Sequence, residues 1–317
     1  MSIQANTVFA QQYAENVLFL SQQKGSKLGE AVTVHNDVRG EYAFFDQVGP
    51  TGYGVIMNRN GDSPLINTPF ARRRVQMGGY EFGDLIDKTD EVQMLIDPTS
   101  ATARNAAFSM GRAKDDVIYQ SFFNTAYTNS GLDGVTPTSV TFPAANVIAV
   151  NDRTFQEEGN ATNGNSSLTV SKLIYAKDLF GTYNVDLEGD EVYCATAQQG
   201  IAALLTATPV TSIWYNSVKP LVSGDVDQFM GINIIHTELT LANGNGVSQK
   251  DGSGYMNVPV WCKSGVALGI GEDIMSMIQP RPDKRFSTYV YFQMLLGATR
   301  LEENKVVQLK CDLTKTN

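Results

Sequence analysis

The chain has 317 residues and a formal net charge of −9; apolar residues make up 42% of it and charged residues only 18%. This length suffices for a sizeable core and predicts two lobes. The acidic balance argues against a dedicated nucleic-acid-binding protein, which would carry a basic surface, but leaves weak contact with nucleic acid open.

The N-terminal stretch predicts a short amphipathic helix over residues 7–22, because apolar residues recur there at helical spacing. It lacks the basic segment, the long apolar core and the cleavage site of a signal peptide, and no run of eighteen apolar residues occurs in the chain. The three cysteines, Cys194, Cys262 and Cys311, are too far apart for a disulfide framework or a zinc site. We therefore expect a soluble protein with buried, reduced thiols, made in a reducing cytoplasm.

Residues 30–80 show strand and turn patterns and few core positions. Residues 31–35 and 41–49 are predicted strands. The polar passage at 50–70 contains Asn60-Gly61, Pro64 and Pro69, which are typical of hairpins and loops. Such a segment would not fold as an independent globule. We expect an extended hairpin arm.

A compact basic cluster, Arg72, Arg73 and Arg74, precedes an acidic run. The acidic residues of this run are Glu81, Asp84, Asp87, Asp90, Glu91 and Asp97. One interpretation is two solvated faces of opposite sign. In another, the arginines of one copy meet the acidic run of the next copy and set its orientation. A third, contact of the arginines with phosphate, is weaker because the chain is acidic.

Residues 98–128 are predicted to form one long helix. Asp97 is a favourable N-cap before Pro98, apolar residues recur in steps of three and four, and Gly111 is its internal weak point. At 1.5 Å per residue the helix would span about 45 Å, far more than an average helix in a compact domain. We expect it to be the backbone of a broad, flat structure.

The pattern becomes α/β from residue 168, where we expect a second lobe to begin. Residues 170–183 and 197–207 are predicted helices, and residues 191–196 form a predicted buried strand. The C-terminal part then returns to β structure. Its predicted strands are 258–270, 285–300 and 304–311, the last two joined by a turn at 301–304.

Residues with catalytic chemistry are few. His35 and His236 are the only histidines, and residues 236–238 match only the start of a zinc-deaminase signature, since no Pro-Cys-x-x-Cys follows. Paired acids such as Asp115 and Asp116 fit turns and solvated helix faces at least as well as metal sites. The sequence therefore predicts no enzyme, no cofactor and no metal site.

Eight stretches resemble the coat proteins of a podovirus-like group of bacteriophages. They are SQQKGSKLGEAV (21–32), AFFDQVGPT (43–51), DLIDKTDEVQMLIDPTSATARNAA (84–107), GRAKDDVI (111–118), FPAANVIAV (142–150), WCKSG (261–265), RPDKRFSTYVYF (281–292) and LLGATRLEENKVV (295–307). These matches are spread along the chain from residue 21 to residue 307. Together with the order of the predicted elements, they resemble a tailed-bacteriophage major capsid protein of the Hong Kong 97 type.

The resemblance implies the α+β fold of that family. In it, residues 1–38 would be the N-terminal arm, residues 39–80 an extension loop lying over a neighbour, residues 81–167 with 281–317 the peripheral domain with spine helix 98–128, and residues 168–280 the axial domain. It also implies assembly as hexamers and pentamers into an icosahedral shell around double-stranded DNA. The expected partners are other copies of the chain, a scaffolding protein, a portal at one vertex, non-specifically contacted DNA and, as an open option, a cement or decoration protein. No membrane is expected, and the implied location is the virion, assembled in the bacterial cytoplasm.

Two departures from the family pattern change these expectations. Covalently cross-linked members use a lysine in the extension loop, and residues 40–80 contain none, so isopeptide cross-links are not expected. The chain also begins directly at the arm, without a long helical pro-region, which favours a separate scaffolding protein. Alternatives left open are a decoration or tail structural protein, an encapsulin-like compartment shell and, as the weakest, an enzyme.

Overall fold

The computed structural model describes residues 22–55, 65–87, 98–129, 137–152, 164–206, 228–238 and 250–314. These residues divide into two compact units. Unit 1 takes 22–26, 79–87, 98–112 and 273–294, and unit 2 takes the rest. The predicted helix at 7–22, apart from its last residue, and the Asn60-Gly61 turn lie outside the described residues.

The described residues form three α-helices and fourteen strands. The helices are α1 (Pro98–Phe123), α2 (Val170–Thr182) and α3 (Gln198–Thr206). The strands are β1 (Thr33–His35), β2 (Tyr42–Val48), β3 (Phe70–Gln76), β4 (Gly78–Ile86), β5 (Ala126–Asn129), β6 (Pro137–Val140), β7 (Val147–Ile148), β8 (Val192–Thr196), β9 (Gln228–Phe229), β10 (Ile232–His236), β11 (Met256–Cys262), β12 (Val266–Arg281), β13 (Ser287–Arg300) and β14 (Val306–Cys311). The mixed helix and sheet content confirms the predicted α+β class.

One core of unit 2 forms around a six-stranded sheet of order β7-β14-β11-β8-β10-β9. β8 and β10 are parallel and β11 is antiparallel to β8 and β14. Leu173 and Phe180 of α2 and Ile201 of α3 join the buried strand residues in one apolar cluster. The predicted helices at 170–183 and 197–207 and the strand at 191–196 are confirmed.

The long helix ends earlier than predicted. α1 stops at Phe123, and residues 126–129 form β5, which pairs with β3 and β6, so the prediction of helix through residue 128 is wrong. Ladder hydrogen bonds to β3 and β6 satisfy the backbone groups of this segment, and that tertiary pairing outweighs the local helical spacing.

The single strand predicted at 258–270 is two strands. β11 and β12 are separated by a 3-10 turn at Lys263–Gly265, and β12 continues to Arg281. The residues on both sides of the turn are almost continuously buried. Because strands buried on both faces have uninterrupted apolar sequences, the hydrophobic pattern does not reveal the turn between them.

The burial of two acidic residues in the middle of α1 also differs from expectation. In unit 2, Asp115 is fully buried and its carboxylate accepts hydrogen bonds from the backbone N–H groups of Lys27 and Leu28, at 2.9–3.1 Å. Asp116 is 4% exposed. The interpretation of this acidic pair as a solvated helix face is therefore wrong, because the chain segment before the 3-10 turn at Gly29–Ala31 covers the Asp115 carboxylate.

In unit 1, the same helix packs against the chain at Gly111. A Cβ atom at this position would lie 2.7 Å from Gly25 Cα, closer than side-chain carbons approach backbone atoms. The adjacent Arg112 Nη1 donates hydrogen bonds to the side-chain oxygen of Gln22, at 3.0 Å, and to the carbonyl of Gln23, at 3.3 Å. Gly111 therefore allows a close approach that would be blocked by alanine.

Candidate functional site

The β2–β3 hairpin exposes an unusual amount of apolar surface. The two strands pair from Tyr42 opposite Gln76 to Val48 opposite Phe70, and residues 49–69 connect them. Val48 is 65% exposed and Phe70 77%, while Tyr53 in the connection is 91% exposed. Contiguous exposed apolar residues on a soluble domain are typical of an interaction site. The hairpin is therefore a candidate contact surface for another protein chain.

The three predicted arginines lie on β3, where successive side chains point to opposite faces. Arg72 forms an ion pair with Asp46, the residue opposite it on β2, and its guanidinium carbon lies 5.6 Å from the Phe44 ring centroid. The Arg72 and Asp46 side chains are 50% and 67% exposed, so solvent screens the pair. Arg72 keeps an accessible charge.

Arg74 lies on the same face as Arg72 and stacks on aromatic rings. Its guanidinium carbon is 4.3 Å from the centroid of Tyr42 and 5.7 Å from that of Tyr127. These distances fit cation–π contacts, which hold the side chain while leaving its N–H groups available as donors. Arg72 and Arg74 together form the basic part of the exposed hairpin face.

Arg73 points the other way and is 6% exposed. Its Nη2 donates to both carboxylate oxygens of Glu303 at 2.6 Å, and its Nε donates to the carbonyl of Leu301 at 2.9 Å. The arginine cluster is therefore not one functional group. Arg73 attaches the hairpin to the turn after β13, and only its two neighbours are accessible to a partner.

Arg300 adds a second buried guanidinium to this turn. It has no exposed surface, and its Nη1 donates to the carbonyls of Phe122, at 2.6 Å, and Asn124, at 3.2 Å, at the C-terminal end of α1 and just after it. Its Nε lies 3.6 Å from Glu303. Burial lowers the pKa of Arg300, Glu303 opposes that shift, and the nearby charge of Arg73 adds to it. Glu303 therefore connects the hairpin base to the end of α1.

The acidic run lies in unit 1, on β4 and beyond. Glu81 is exposed and accepts a hydrogen bond from the Tyr291 hydroxyl at 2.9 Å. Asp84 is exposed, and its carboxylate accepts from the backbone N–H of Leu85 at 2.8 Å. Asp87 is half-buried, and Asp90 and Glu91 lie outside the described residues. Glu81 and Asp84 are therefore accessible carboxylates on one strand.

Two further observations concern the other classes of site. Among the described residues, no three His, Cys, Asp or Glu side chains come together as a set that could hold a metal ion. No helix within those same ranges combines the length and the apolar character needed to cross a membrane.

Comparison with known proteins identifies the family of this chain. The family model described as phage capsid protein matches residues 5–313 of the chain. The chain belongs to the phage capsid protein family. It is a major capsid protein, a structural protein of the virion whose copies assemble into the viral shell. No sequence matched it among curated proteins.

Solved phage capsids share the fold of this capsid protein. The capsid of the cyanophage P-SCSP1u matches with a TM-score of 0.70 and 16% identity, over 97% of this chain and 94% of that one. The capsid of Ralstonia phage GP4 matches with a TM-score of 0.68 and 12% identity, over 98% and 97%. The capsid of the native GTA particle gives a TM-score of 0.64 at 12% identity, over 98% and 97%.

Sequence reasoning missed the residues that organise the capsid protein's hairpin base. The sequence analysis did not single out Asp46, Arg300 or Glu303. A signal for Arg300 was present, because an arginine in the predicted apolar strand at 285–300 would be buried and would need an internal partner. No local signal identifies Glu303 as that partner. It lies 230 residues from Arg73.

Proposed function

We propose that this capsid protein assembles as hexamers and pentamers into an icosahedral shell that encloses the double-stranded DNA genome of a tailed phage, and that it has no enzymatic role. The observation that carries the proposal is the exposed apolar face of the β2–β3 hairpin, in a chain that the phage capsid family model matches over residues 5–313. Many small contacts of this kind become cumulative when a shell closes.

We assign the structural roles in the shell to the regions that the resemblance to the family implies. Residues 1–38 act as the N-terminal arm, residues 39–80 lie over a neighbouring copy, and residues 168–280 form the axial domain. Residues 81–167 with 281–317 form the peripheral domain. The apolar hairpin residues support the second of these roles, because covering them removes apolar surface from water.

The proposed partners complete the assembly. A scaffolding protein directs closure, a portal occupies one vertex, DNA is contacted without sequence preference, and assembly takes place in the host cytoplasm. A cement or decoration protein can bind the finished shell. The net charge of −9 supports weak, non-specific contact with DNA over tight binding.

The hairpin's accessible cations refine the proposed contact between copies. Arg72 and Arg74 of one copy meet the acidic run of the next copy, at Glu81, Asp84, Asp87, Asp90 and Glu91. Two observations support this role: the Arg72 side chain is exposed, and the Arg74 guanidinium stacks on Tyr42 in a way that leaves its N–H groups available as donors. Arg73 does not take part in it, because its side chain is buried on the opposite face of β3 against Glu303 and Leu301.

Electron microscopy of the protein, expressed alone and with its genomic neighbours, tests the proposal. Uniform shells would support it, and their diameter would give the copy number. Small rings or monomers in the presence of a scaffold would favour a decoration or tail protein, and shells filled with host enzymes would favour an encapsulin-like compartment.

The arginine contact is tested separately with Arg72→Gln combined with Arg74→Gln. We expect a folded subunit and fewer shells, whereas Arg104→Gln, an exposed arginine of α1, should assemble normally. Normal shells from the double variant would exclude the arginine contact without affecting the capsid assignment.

A further inference from the structure

Lys172 is a fully buried lysine in the first turn of α2. Thr169 caps this helix, and its hydroxyl accepts a hydrogen bond from the backbone N–H of Lys172 at 3.2 Å. A cation in the first turn opposes the helix dipole, which favours negative charge there, and lysine is almost never fully buried without a partner. Local sequence preference therefore does not explain a lysine at this position, and a tertiary partner holds it there.

The partner of the Lys172 ammonium is a group of backbone carbonyls. Its Nζ donates hydrogen bonds at 2.9–3.3 Å to four carbonyl oxygens, those of Val150, Ser166, Ser167 and Lys310. We call these four groups the carbonyl cage. An ammonium has three N–H donors and no acceptor, whereas a neutral amine would turn a lone pair towards one of the oxygens. The cage therefore matches the charged form of the side chain.

The surroundings of the cage act on the charge of Lys172 in both directions. Burial lowers the pKa of Lys172, whereas the nearby Cys311, Asp152 and Asp312 side chains oppose that shift. Asp312 is 8% exposed, and its backbone N–H donates to the carbonyl of Ser166 at 2.9 Å. Burying a charge is costly unless hydrogen bonds replace its hydration, and the cage supplies those hydrogen bonds.

The cage lies where two parallel strands stop pairing. The last pair between them is Ile148 of β7 with Leu309 of β14. Val150 and Lys310 follow this pair, so their carbonyls lie beyond the β7–β14 ladder, and the backbone N–H of Ser166 donates to the Val150 carbonyl at 3.1 Å. Buried carbonyls at the end of a ladder need other donors, and the ammonium provides them. The whole cage and its lysine belong to unit 2.

We infer that the carbonyl cage is a monovalent-cation site whose resident ion is the chain's own Lys172 ammonium, and that this ion locks α2 to the ends of β7 and β14. Backbone carbonyls that replace the hydration shell of an ion are typical of potassium sites, and a primary ammonium carries the same charge. The vacated cage should accept a small primary ammonium ion.

The lock has a consequence for the shell that rests on the regions assigned under the proposed function. Lys172 lies in the proposed axial domain, 168–280, whereas all four cage carbonyls lie in the proposed peripheral domain, 81–167 with 281–317. The two regions are therefore joined at this point by a buried charge. A contact made by one region in a shell then fixes the orientation of the other.

Hydrogen exchange of the isolated subunit tests the lock. Lys172→Met keeps an apolar stem but removes the ammonium. We expect the amides of Ser166 and Asp312, which donate to cage carbonyls, to exchange about tenfold faster or more, while the amides of β11 stay protected. Lys177→Met is the matched control, because Lys177 lies in the same helix and donates to the Met230 carbonyl without being buried. Unchanged exchange at Ser166 and Asp312 would overturn the inference.

Chemical rescue tests the cation site itself. Lys172→Ala removes from the cage the atoms of a propylammonium ion. We expect its thermal midpoint to fall by about 5 °C or more, because four buried carbonyls lose their donor. Propylammonium chloride should restore about half of this loss or more, since an ion that binds the folded state stabilises it. Tetramethylammonium chloride at the same ionic strength has no N–H donor and should restore none. Equal effects of the two salts would contradict the site.

Amine acetylation of the wild-type subunit gives a test that does not depend on the folding of a variant. We expect mass spectrometry of proteolytic fragments to find Lys177 modified and Lys172 unmodified, because Lys172 reacts only after the cage opens. Equal labelling of the two lysines in the folded subunit would overturn the inference.

Shell formation separates this inference from the proposed function. We expect Lys172→Met to give fewer shells than Lys177→Met, and equal yields would contradict the role of the lock in assembly. Failure of the wild-type protein to form shells with its scaffold would contradict the proposed function and leave the cage and its ion intact. Failed rescue or unchanged exchange would contradict the cation site alone.

Discussion

Glu303 receives hydrogen bonds on both carboxylate oxygens from Nη2 of Arg73, at 2.6 Å, although the two residues lie 230 positions apart. The Arg73 side chain is 7% exposed and that of Glu303 22%. Arg300 is fully buried, and its Nε lies 3.6 Å from Oε1 of the same carboxylate. One carboxylate thus balances two guanidinium groups at the base of the extended hairpin.

Replacing Glu303 with glutamine should therefore destabilise the unassembled subunit. The amide cannot neutralise Arg73 and Arg300, and its own N–H groups point at cations. We expect a loss of about 3 kcal/mol in the free energy of unfolding, at the low end of the range for breaking a buried ion pair because Glu303 keeps some solvent contact. Urea denaturation measures this loss.

Asp46→Asn provides the matched control for this variant. It removes the carboxylate that pairs with exposed Arg72, one residue before Arg73, and should leave the unfolding midpoint unchanged. Equal losses from the two variants would show that burial of the Arg73–Glu303 pair has no energetic consequence.

Gly111→Ala should destabilise the subunit, although alanine is the better helix former by about 1 kcal/mol. The new methyl group would lie 2.7 Å from Gly25 Cα and 3.0 Å from Ser26 N, and backbone atoms cannot move aside cheaply. Gly181→Ala in α2 is the control, because nothing lies within 4 Å of its Cβ position. We expect thermal denaturation to shift in opposite directions for these two variants. A higher melting temperature for Gly111→Ala would contradict the close packing of α1 on residues 25–26.

Tyr193 should make the subunit more sensitive to alkali. Burial and the 2.6 Å hydrogen bond to Glu191 raise the pKa of Tyr193 to about 12, above its ordinary value of about 10. The folded state therefore favours the neutral phenol, and this stabilisation is complete below pH 10 and is lost as the pH rises from 10 to 12. The stability difference between wild type and Tyr193→Phe should be constant from pH 7 to 9 and shrink above pH 10 in urea titrations. A constant difference up to pH 12 would contradict the prediction.

The three thiols should be unreactive in the folded subunit. Cys194, Cys262 and Cys311 are each fully buried and unpaired with one another, as the sequence predicted. Burial raises the pKa of Cys262 to about 12 and that of Cys311 to about 11, so the reactive thiolate is scarce at pH 8. Dithiobis(nitrobenzoate) should titrate no thiol at pH 8 in buffer and three in denaturant. Rapid reaction of one thiol in buffer would indicate local opening of the sheet that carries it.

The local sequence pattern was sufficient for several elements of this capsid protein. Helical periodicity predicted α2 and α3, because an amphipathic stripe determines which face a helix buries, and a short apolar run predicted the buried strand β8. The local pattern also predicted most of α1 and the hairpin strand β2. The resemblance to phage coat proteins added the family, which the match over residues 5–313 confirms.

Only the tertiary structure decided where α1 ends and what each charged residue does. Three consecutive arginines look equivalent in the sequence, yet Arg73 is buried against Glu303 while Arg72 stays in solvent. Likewise Asp115, one of two adjacent acids on a helix, is buried against backbone N–H groups 87 and 88 residues away. The physical reason is that a charge takes its role from its partner and its solvation, and here both are supplied by segments distant in the chain.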